Sequence, residues 1–442
     1  MTKLKKLIRG LISESAIIKY HYAKASLAAF LYGHPARHMV VIGITGTKGK
    51  TSTANFIWSV LDAGNFRTGL IGTANIRIGN VERMNPYHMT MPGPFITQKI
   101  LRDMQRADVT HVVMEVTSEG LKLGRHTGID IDVGIFTNLS PEHLPNHGNS
   151  FEKYKMAKGE LFRSLSDHHK VLNGKYISKI IIANADSEDA PYYLGFDADE
   201  KITFGLSSGG VRAEHVASRG DMTNFVVDGE QFNIAIVGKF NVYNALPAII
   251  LGRIFGVTYE HIKSGLENLS LIPGRMERID LGQPYTVFVD YAHEKLSMRA
   301  LLDTAREMKH ADGKIIVILG AEGGGRDKAK REHLGTIGAE LADIVIVTTV
   351  DPYDDEPQGI IDDVARFAEN PPTGGGKVPG VSLFTPLDRR EAIKKAIEIA
   401  REHDIVLITG KGAEQSMVLP TGKIPWDDRV ITREIITESL KR

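Results

Sequence analysis

At 442 residues the chain is too long for one ordinary core, so two or three domains are expected. Lys+Arg and Asp+Glu are equal at 54 each, which carries no global signature of nucleic-acid binding, and 42% apolar content is that of a soluble globular protein. Without cysteine there is no disulfide, thiolate chemistry or Cys-ligated zinc, and no apolar run reaches the ~18 residues of a membrane span.

Residues 1–38 stand apart. Lys3, Lys5, Lys6, Arg9, Lys19, Lys24 and Arg37 face a single acid, Glu14, and Leu4, Leu7, Ile8, Leu11 and Ile12 recur at helical spacing. A basic amphipathic helix can lie on an anionic membrane surface or dock on the protein body. Docking is the preferred reading, and Arg9 interrupts the apolar stretch that a signal peptide would need.

The apolar run Met39-Val40-Val41-Ile42 reads as a buried strand, and Ala54–Leu61 as a helix. Between them lies Gly43-Ile44-Thr45-Gly46-Thr47-Lys48-Gly49-Lys50-Thr51-Ser52-Thr53, with glycines at 43, 46 and 49. A glycine-rich turn from strand to helix presents backbone N–H groups and a helix N-terminus to an anion. A lysine at position 50 can reach β/γ-phosphates, and the Thr51 hydroxyl can ligate Mg²⁺. ATP or a close relative is the expected ligand, and the cytoplasm, where ATP is, the expected location.

Further strands are predicted at 68–72, 110–116, 132–137 and 179–183, alternating with helical periodicity. Residues 200–240 read as a small antiparallel patch and Ile272-Pro273-Gly274-Arg275 as a linker. A second alternating unit has strands at 286–289, 315–319, 344–348 and 405–409. Ligands of open α/β sheets sit beyond the strand C-termini, so Asp290–His293, Gly320–Arg331, Asp351–Glu356 and Gly410–Glu414 should meet in one crevice. The expected fold class is α/β: a basic helical segment over 1–38, a central P-loop ATPase-type domain with a mostly parallel sheet over 39–273, and a C-terminal Rossmann-like α/β domain over 274–442.

Several segments carry a family resemblance. They are the Gly43–Thr51 loop, Glu115-Val116-Thr117-Ser118, Thr137-Asn138-Leu139-Ser140-Pro141-Glu142-His143-Leu144, Tyr154–Lys158, Gly238–Leu246, Pro273–Arg278 and Asp290-Tyr291-Ala292-His293. Together they resemble the Mur ligases, ATP-dependent amide-forming enzymes of peptidoglycan-precursor synthesis, and most closely the MurE type, which adds the third amino acid to UDP-MurNAc-dipeptide. The resemblance implies an ATP site of Gly46, Thr47, Lys48, Gly49, Lys50, Thr51, Ser52, Asn241, Asn244, Arg275, Asp290 and His293. It also implies two Mg²⁺ ions held by Thr51, Glu115, His143 and a carbamylated Lys158, with Lys50, Lys158 and His143 as the catalytic set. Thr90, Thr117, Ser118, Arg125, Arg326, Asp351, Tyr353, Gly410 and Glu414 would bind the nucleotide-linked peptide acceptor and the amino acid. A cytoplasmic monomer is expected.

The residue types suit amide synthesis. Activating a carboxylate as an acyl phosphate brings two anions together, and Lys50 and divalent cations would neutralise that charge. The chain also departs from the family. Glu119 and Met91 stand where His and Thr are common, Ala413 replaces the His of GKGHE, and little remains of the N-terminal UDP-binding domain. In Val350-Asp351-Pro352-Tyr353, Tyr353 replaces the Arg that would grip the second carboxylate of diaminopimelate, and a phenol cannot reproduce that fork. Asp351, Asp354, Asp355 and Glu356 make the loop acidic, so lysine or ornithine is favoured over diaminopimelate. The alternatives are a Mur-like ligase acting on a different carboxylate carrier and a non-catalytic ATP-binding homologue; folylpolyglutamate synthase is a more distant match.

Overall fold

The structure is a computed structural model that describes residues 14–87, 89–142, 144–219, 222–325 and 328–441. The chain divides into two compact units. The first runs to Ala217 and adds Thr223–Ala235 and Asn241–Leu269; the second comprises Ser218–Met222, Ile236–Phe240 and Ser270 onward.

The first unit is built on an 11-stranded sheet. Its strands are β1 (Val40–Thr45), β2 (Thr68–Ile71), β3 (Asn75–Ile78), β4 (Val81–Met84), β5 (His111–Glu115), β6 (Val133–Phe136), β9 (Ile180–Asn184), β10 (Glu200–Gly205), β11 (Val211–Arg219), β12 (Met222–Val227) and β13 (Glu230–Ile234). A separate hairpin pairs β7 (Val171–Leu172) with β8 (Lys175–Tyr176). The order is β13-β12-β11-β10-β9-β6-β1-β5-β2-β3-β4, and β9, β6, β1, β5 and β2 run parallel. Every residue of β1 is buried, which explains its unbroken apolar run: a strand covered on both faces has no polar side. The expected antiparallel patch is an extension of this sheet, because β10 pairs parallel with β9 before the β12–β13 hairpin.

A helix over Glu14–Leu31 packs on Pro94–Arg106, and its Ala25, Ala28 and Ala29 are fully buried. This part of the N-terminal segment is docked. The Leu4–Ile12 stripe lies outside the described residues.

Beneath β1 and β6 sits a buried charge cluster. Asp132 takes Lys170 Nζ at 2.5 Å and Lys179 Nζ at 2.7 Å, and accepts the Val41 N–H at 2.9 Å. Lys170 also donates to the carbonyls of Ala36, Met39 and Asp130, fastening the starts of two strands. Removing the carboxylate strands two buried lysines, so Asp132→Ala should cost about 3–5 kcal/mol in urea unfolding. A loss below about 1 kcal/mol would show that the cluster is not a structural tie.

The second unit carries a six-stranded sheet in the order β14-β15-β19-β16-β17-β18. The strands are β14 (Glu277–Ile279), β15 (Thr286–Val289), β16 (Ile315–Leu319), β17 (Ile344–Val347), β18 (Leu383–Phe384) and β19 (Ile405–Ile408); β20 (Ser416–Leu419) and β21 (Gly422–Pro425) form a hairpin. All but β14 pair parallel in the main sheet. One face packs Met298, Leu301, Leu334, Ile361 and Val364; the other packs Ile393, Ile397, Ile435 and Ile436. The predicted linker at Ile272–Arg275 is a tight turn with Ile272 fully buried, closed by Arg275 N–H to the Ile272 carbonyl at 3.0 Å.

Candidate functional site

β1 ends at Thr45 and a helix begins at Lys50, which leaves Gly46–Gly49 as the connecting loop. Gly49 has φ 84°, and a Cβ there would lie 2.4 Å from Asn244 Oδ1. At Gly46 a Cβ would fall 1.9 Å from Thr137 Oγ1. Both positions therefore require glycine. Gly49 offers no side chain to cap the helix, so the first N–H groups point outward as anion donors.

The end of β6 grips this loop. The Asn138 carbonyl accepts Thr47 N–H at 2.8 Å and its Oδ1 accepts Lys48 N–H at 2.9 Å, while Thr137 Oγ1 donates to the Lys48 carbonyl at 2.7 Å. Thr47 Oγ1 accepts Ser140 N–H at 3.0 Å and lies 3.1 Å from the Tyr154 hydroxyl. Asn244 donates to Asn241 at 3.0 Å and accepts from Thr53 at 3.4 Å, so this pair sits beside the helix start.

Two lysines meet on the Gly46 carbonyl: Lys50 Nζ at 2.9 Å and Lys158 Nζ at 2.8 Å. Lys50 also donates to the Thr47 carbonyl at 3.0 Å. Lys158 is only 2% exposed. Burial pushes its pKa well below the normal lysine value, Lys50 pushes the same way, and Glu142 opposes them. Enclosure and the neighbouring Lys50 therefore both disfavour the ammonium form of Lys158.

Thr51 Oγ1 donates to Glu115 Oε2 at 3.0 Å. Glu115 also accepts Thr73 N–H at 2.6 Å and Thr73 Oγ1 at 2.8 Å, and Thr73 reaches Thr90 at 2.9 Å. Ser52 is buried in the first helical turn. Thr117 caps the short helix Ser118–Lys122 by accepting Gly120 N–H at 3.1 Å, Ser118 Oγ lies 3.1 Å from His147 Nε2, and Arg125 donates to the Met91 carbonyl at 2.7 Å. His143 lies outside the described residues. Glu142 is buried with Lys48 Nζ 2.9 Å away, yet among the described residues its oxygens, like Ser140 Oγ and Thr45 Oγ1, lack a hydrogen-bond partner. A hydroxyl and buried carboxylates make an oxygen donor set that fits Mg²⁺.

In the second unit the motif-bearing strand ends touch one another. Lys411, fully buried, bonds Asp351 Oδ2 at 2.6 Å and Glu414 Oε2 at 2.5 Å. Burial lowers its pKa, but Glu414 and Asp351 outweigh that and hold it above the normal lysine value. Tyr291 donates to Glu414 Oε1 at 3.2 Å, and Gly323 N–H reaches the Asp351 carbonyl at 2.9 Å. Asp290 accepts the N–H groups of Met276 and Ala292, each at 2.7 Å; Arg275 lies 4.5 Å over the Tyr291 ring; His293 Nδ1 donates to the Tyr291 carbonyl at 2.6 Å. Gly410 has φ 104° and Tyr353 φ 54°. Arg326 lies outside the described residues.

The acidity of the Asp351 loop is largely spent internally. Asp351 is neutralised by Lys411, Asp355 accepts Gly324 N–H at 3.1 Å, and Glu356 caps a helix through Gly359 N–H at 2.6 Å. Only Asp354 is both exposed and without a partner among the described residues, so the expectation of four acids offered to a cation is corrected to one.

Residues 44–252 match the Mur ligase middle domain and residues 274–412 the Mur ligase glutamate ligase domain. Over 421 residues the chain is 35% identical to the UDP-N-acetylmuramoyl-L-alanyl-D-glutamate–2,6-diaminopimelate ligase of Halalkalibacterium halodurans, covering 94% of this chain and 82% of that one. It is 37% identical over 427 residues to a UDP-N-acetylmuramyl-tripeptide synthetase of Roseiflexus sp., with the same coverage of 94% and 82%. The chain belongs to the Mur ligase family. It is accordingly an ATP-dependent, ADP-forming amide-bond ligase. In fold alone this Mur ligase also matches folylpolyglutamate synthase of Mycobacterium tuberculosis, at TM-score 0.70 and 17% identity over 95% of both chains.

Sequence reading does not single out Glu142, Thr73 or His147 in this Mur ligase. Glu142 directly precedes His143 in a segment that was already informative; Thr73 and His147 carry no local signal. Burial holds the His147 imidazole at about 4, and burial likewise holds His111 and His126 at about 4. A depressed folded-state pKa gives stability that is full above the ordinary value of 6.5 and lost as pH falls towards about 4. Urea midpoints should therefore drop between pH 7 and pH 5, and His147→Gln should shrink that drop. An unchanged drop would remove His147 from the acid response.

Proposed function

We propose that this ligase adds an amino acid to a UDP-MurNAc-dipeptide acceptor in the cytoplasm, with lysine or ornithine preferred over meso-diaminopimelate. What carries the reading is the meeting of Lys50 and Lys158 on the Gly46 carbonyl, beside the Thr51–Glu115 contact.

The loop N–H groups and Lys50 hold the triphosphate of ATP. The acceptor carboxylate oxygen attacks the γ-phosphorus and ADP departs, leaving an acyl phosphate. The neutral amine of the amino acid then attacks the acyl carbon, phosphate leaves and the nitrogen loses a proton. Lys50 offsets the negative charge that gathers in the first step. In its unprotonated form, which burial favours, Lys158 can add CO₂, forming an N–C bond and releasing a proton, which turns a buried amine into a carboxylate. Thr51, Glu115, His143 and that carbamate would hold two Mg²⁺ ions, which supply charge neutralisation and Lewis acidity when bound. Asn241 and Asn244 serve the adenine side, while Thr90, Thr117, Ser118 and Arg125 serve the acceptor. Arg326, Asp351, Tyr353, Gly410 and Glu414 serve the amino acid.

The preference rests on Tyr353, whose phenol cannot fork onto a second carboxylate. Diaminopimelate is the second reading, favoured by the name of the Halalkalibacterium halodurans relative.

Lys50→Ala should cut turnover roughly 10²-fold or more, ~3 kcal/mol of transition-state stabilisation. Lys158→Ala should be inactive and partly restored by short carboxylates, whereas full activity without them would dismiss the carbamate. Phosphate release with UDP-MurNAc-L-Ala-D-Glu should give lysine or ornithine the higher kcat/KM. A clear diaminopimelate preference would overturn the Tyr353 argument and leave the ligase reading standing; no release with any amino acid would overturn the acceptor.

A further inference from the structure

We propose that His310, Asp312 and His403 form a binding site for a divalent cation of the zinc class, remote from the motif-bearing loops of the second unit. His310 and Asp312 precede β16 and His403 precedes β19, two neighbouring parallel strands whose opposite ends lead to Gly320 and Gly410. The site therefore lies at the N-terminal end of the sheet.

The donor atoms of these three residues all lie within 4.8 Å of one another. The two imidazole rings stack with centroids 4.5 Å apart and planes 29° from parallel, and His310 Nδ1 pairs with Asp312 Oδ1. Ligands at ~2.1 Å from one ion stand no more than about 4.2 Å apart, so closure needs only a small rotation of exposed side chains. Two imidazoles and a carboxylate suit Zn²⁺, Ni²⁺ or Cu²⁺ far better than Mg²⁺. Water would complete the shell at this exposed position.

Both loops are held in place before any ion arrives. Lys309 Nζ donates to the carbonyls of His310 at 3.2 Å and Gly313 at 2.6 Å, and Gly313 N–H closes the turn on the His310 carbonyl at 3.1 Å. Asp404 accepts Lys314 N–H at 2.7 Å and Arg401 N–H at 2.8 Å, which joins the two loops. They touch at Gly313, where a Cβ would meet the His403 carbonyl at 2.2 Å. His403 itself adopts φ 70°, a left-handed conformation that costs a non-glycine residue energy and aims its ring at His310. An ion here staples the starts of β16 and β19 and stabilises the folded unit by mass action.

The test uses the full chain without an affinity tag, stripped with EDTA and held in saturating MgCl₂. Calorimetric titration with ZnCl₂ should show one more equivalent bound by the wild type than by His310→Ala/His403→Ala, and Zn²⁺ should raise Tm further in the wild type. Asp312→Asn, which keeps both rings, should bind Zn²⁺ more weakly. Equal stoichiometry and equal Tm response in the double variant would overturn the site, and unchanged affinity in Asp312→Asn would overturn the three-ligand assignment.

Discussion

Two lysine nitrogens share the carbonyl of Gly46, and much of the first unit is arranged around that contact. One lysine comes from the first turn of the helix after β1, the other from the helix Phe151–Arg163 more than a hundred residues along the chain. The loop can present its carbonyl to both only because Gly46 and Gly49 leave room for Thr137 and Asn244. Burial, and after it the charge of Lys50, lowers the pKa of the more enclosed lysine, Lys158. The two lysines thus meet on one carbonyl, with the Thr51–Glu115 hydrogen bond in the same first helical turn as Lys50.

The contrast with other buried lysines shows how environment sets protonation. Lys411 is as enclosed as Lys158, but two carboxylates touch it and its charge is retained. Lys170 sits against Asp132, and there burial wins over the carboxylate and lowers its pKa. Burial lowers the pKa of Lys158, Lys50 pushes the same way, and Glu142 opposes them. The same side chain buried to the same degree is thus shifted up or down according to the charges that touch it.

Much of the fold was legible because buried parallel strands are written as apolar runs: 68–72 and 315–319 differ from the observed strands by at most a residue at either end, and the Met39–Ile42 run opens β1. The strand–loop–helix turn at Gly46–Gly49 was legible because glycine spacing is a local signal. Partners distant in sequence were not legible. Thr137, Asn138 and Ser140 brace the loop through hydrogen bonds spanning some ninety residues, and nothing in their own segment announces that work. The Asp351 loop looked like an open acidic surface because Lys411, which neutralises it, stands sixty residues away. His143 and Arg326, both prominent in the sequence, fall outside the described residues.

The proposed ligase chemistry turns on whether Lys158, whose pKa burial lowers, takes up CO₂. The most direct measurement is ¹³C NMR of the wild type equilibrated with ¹³C-bicarbonate, compared with Lys158→Ala. A carbamate carbonyl resonance in the wild type that is missing from the variant is the predicted result. No such resonance in the wild type, or the same resonance in both, would contradict it.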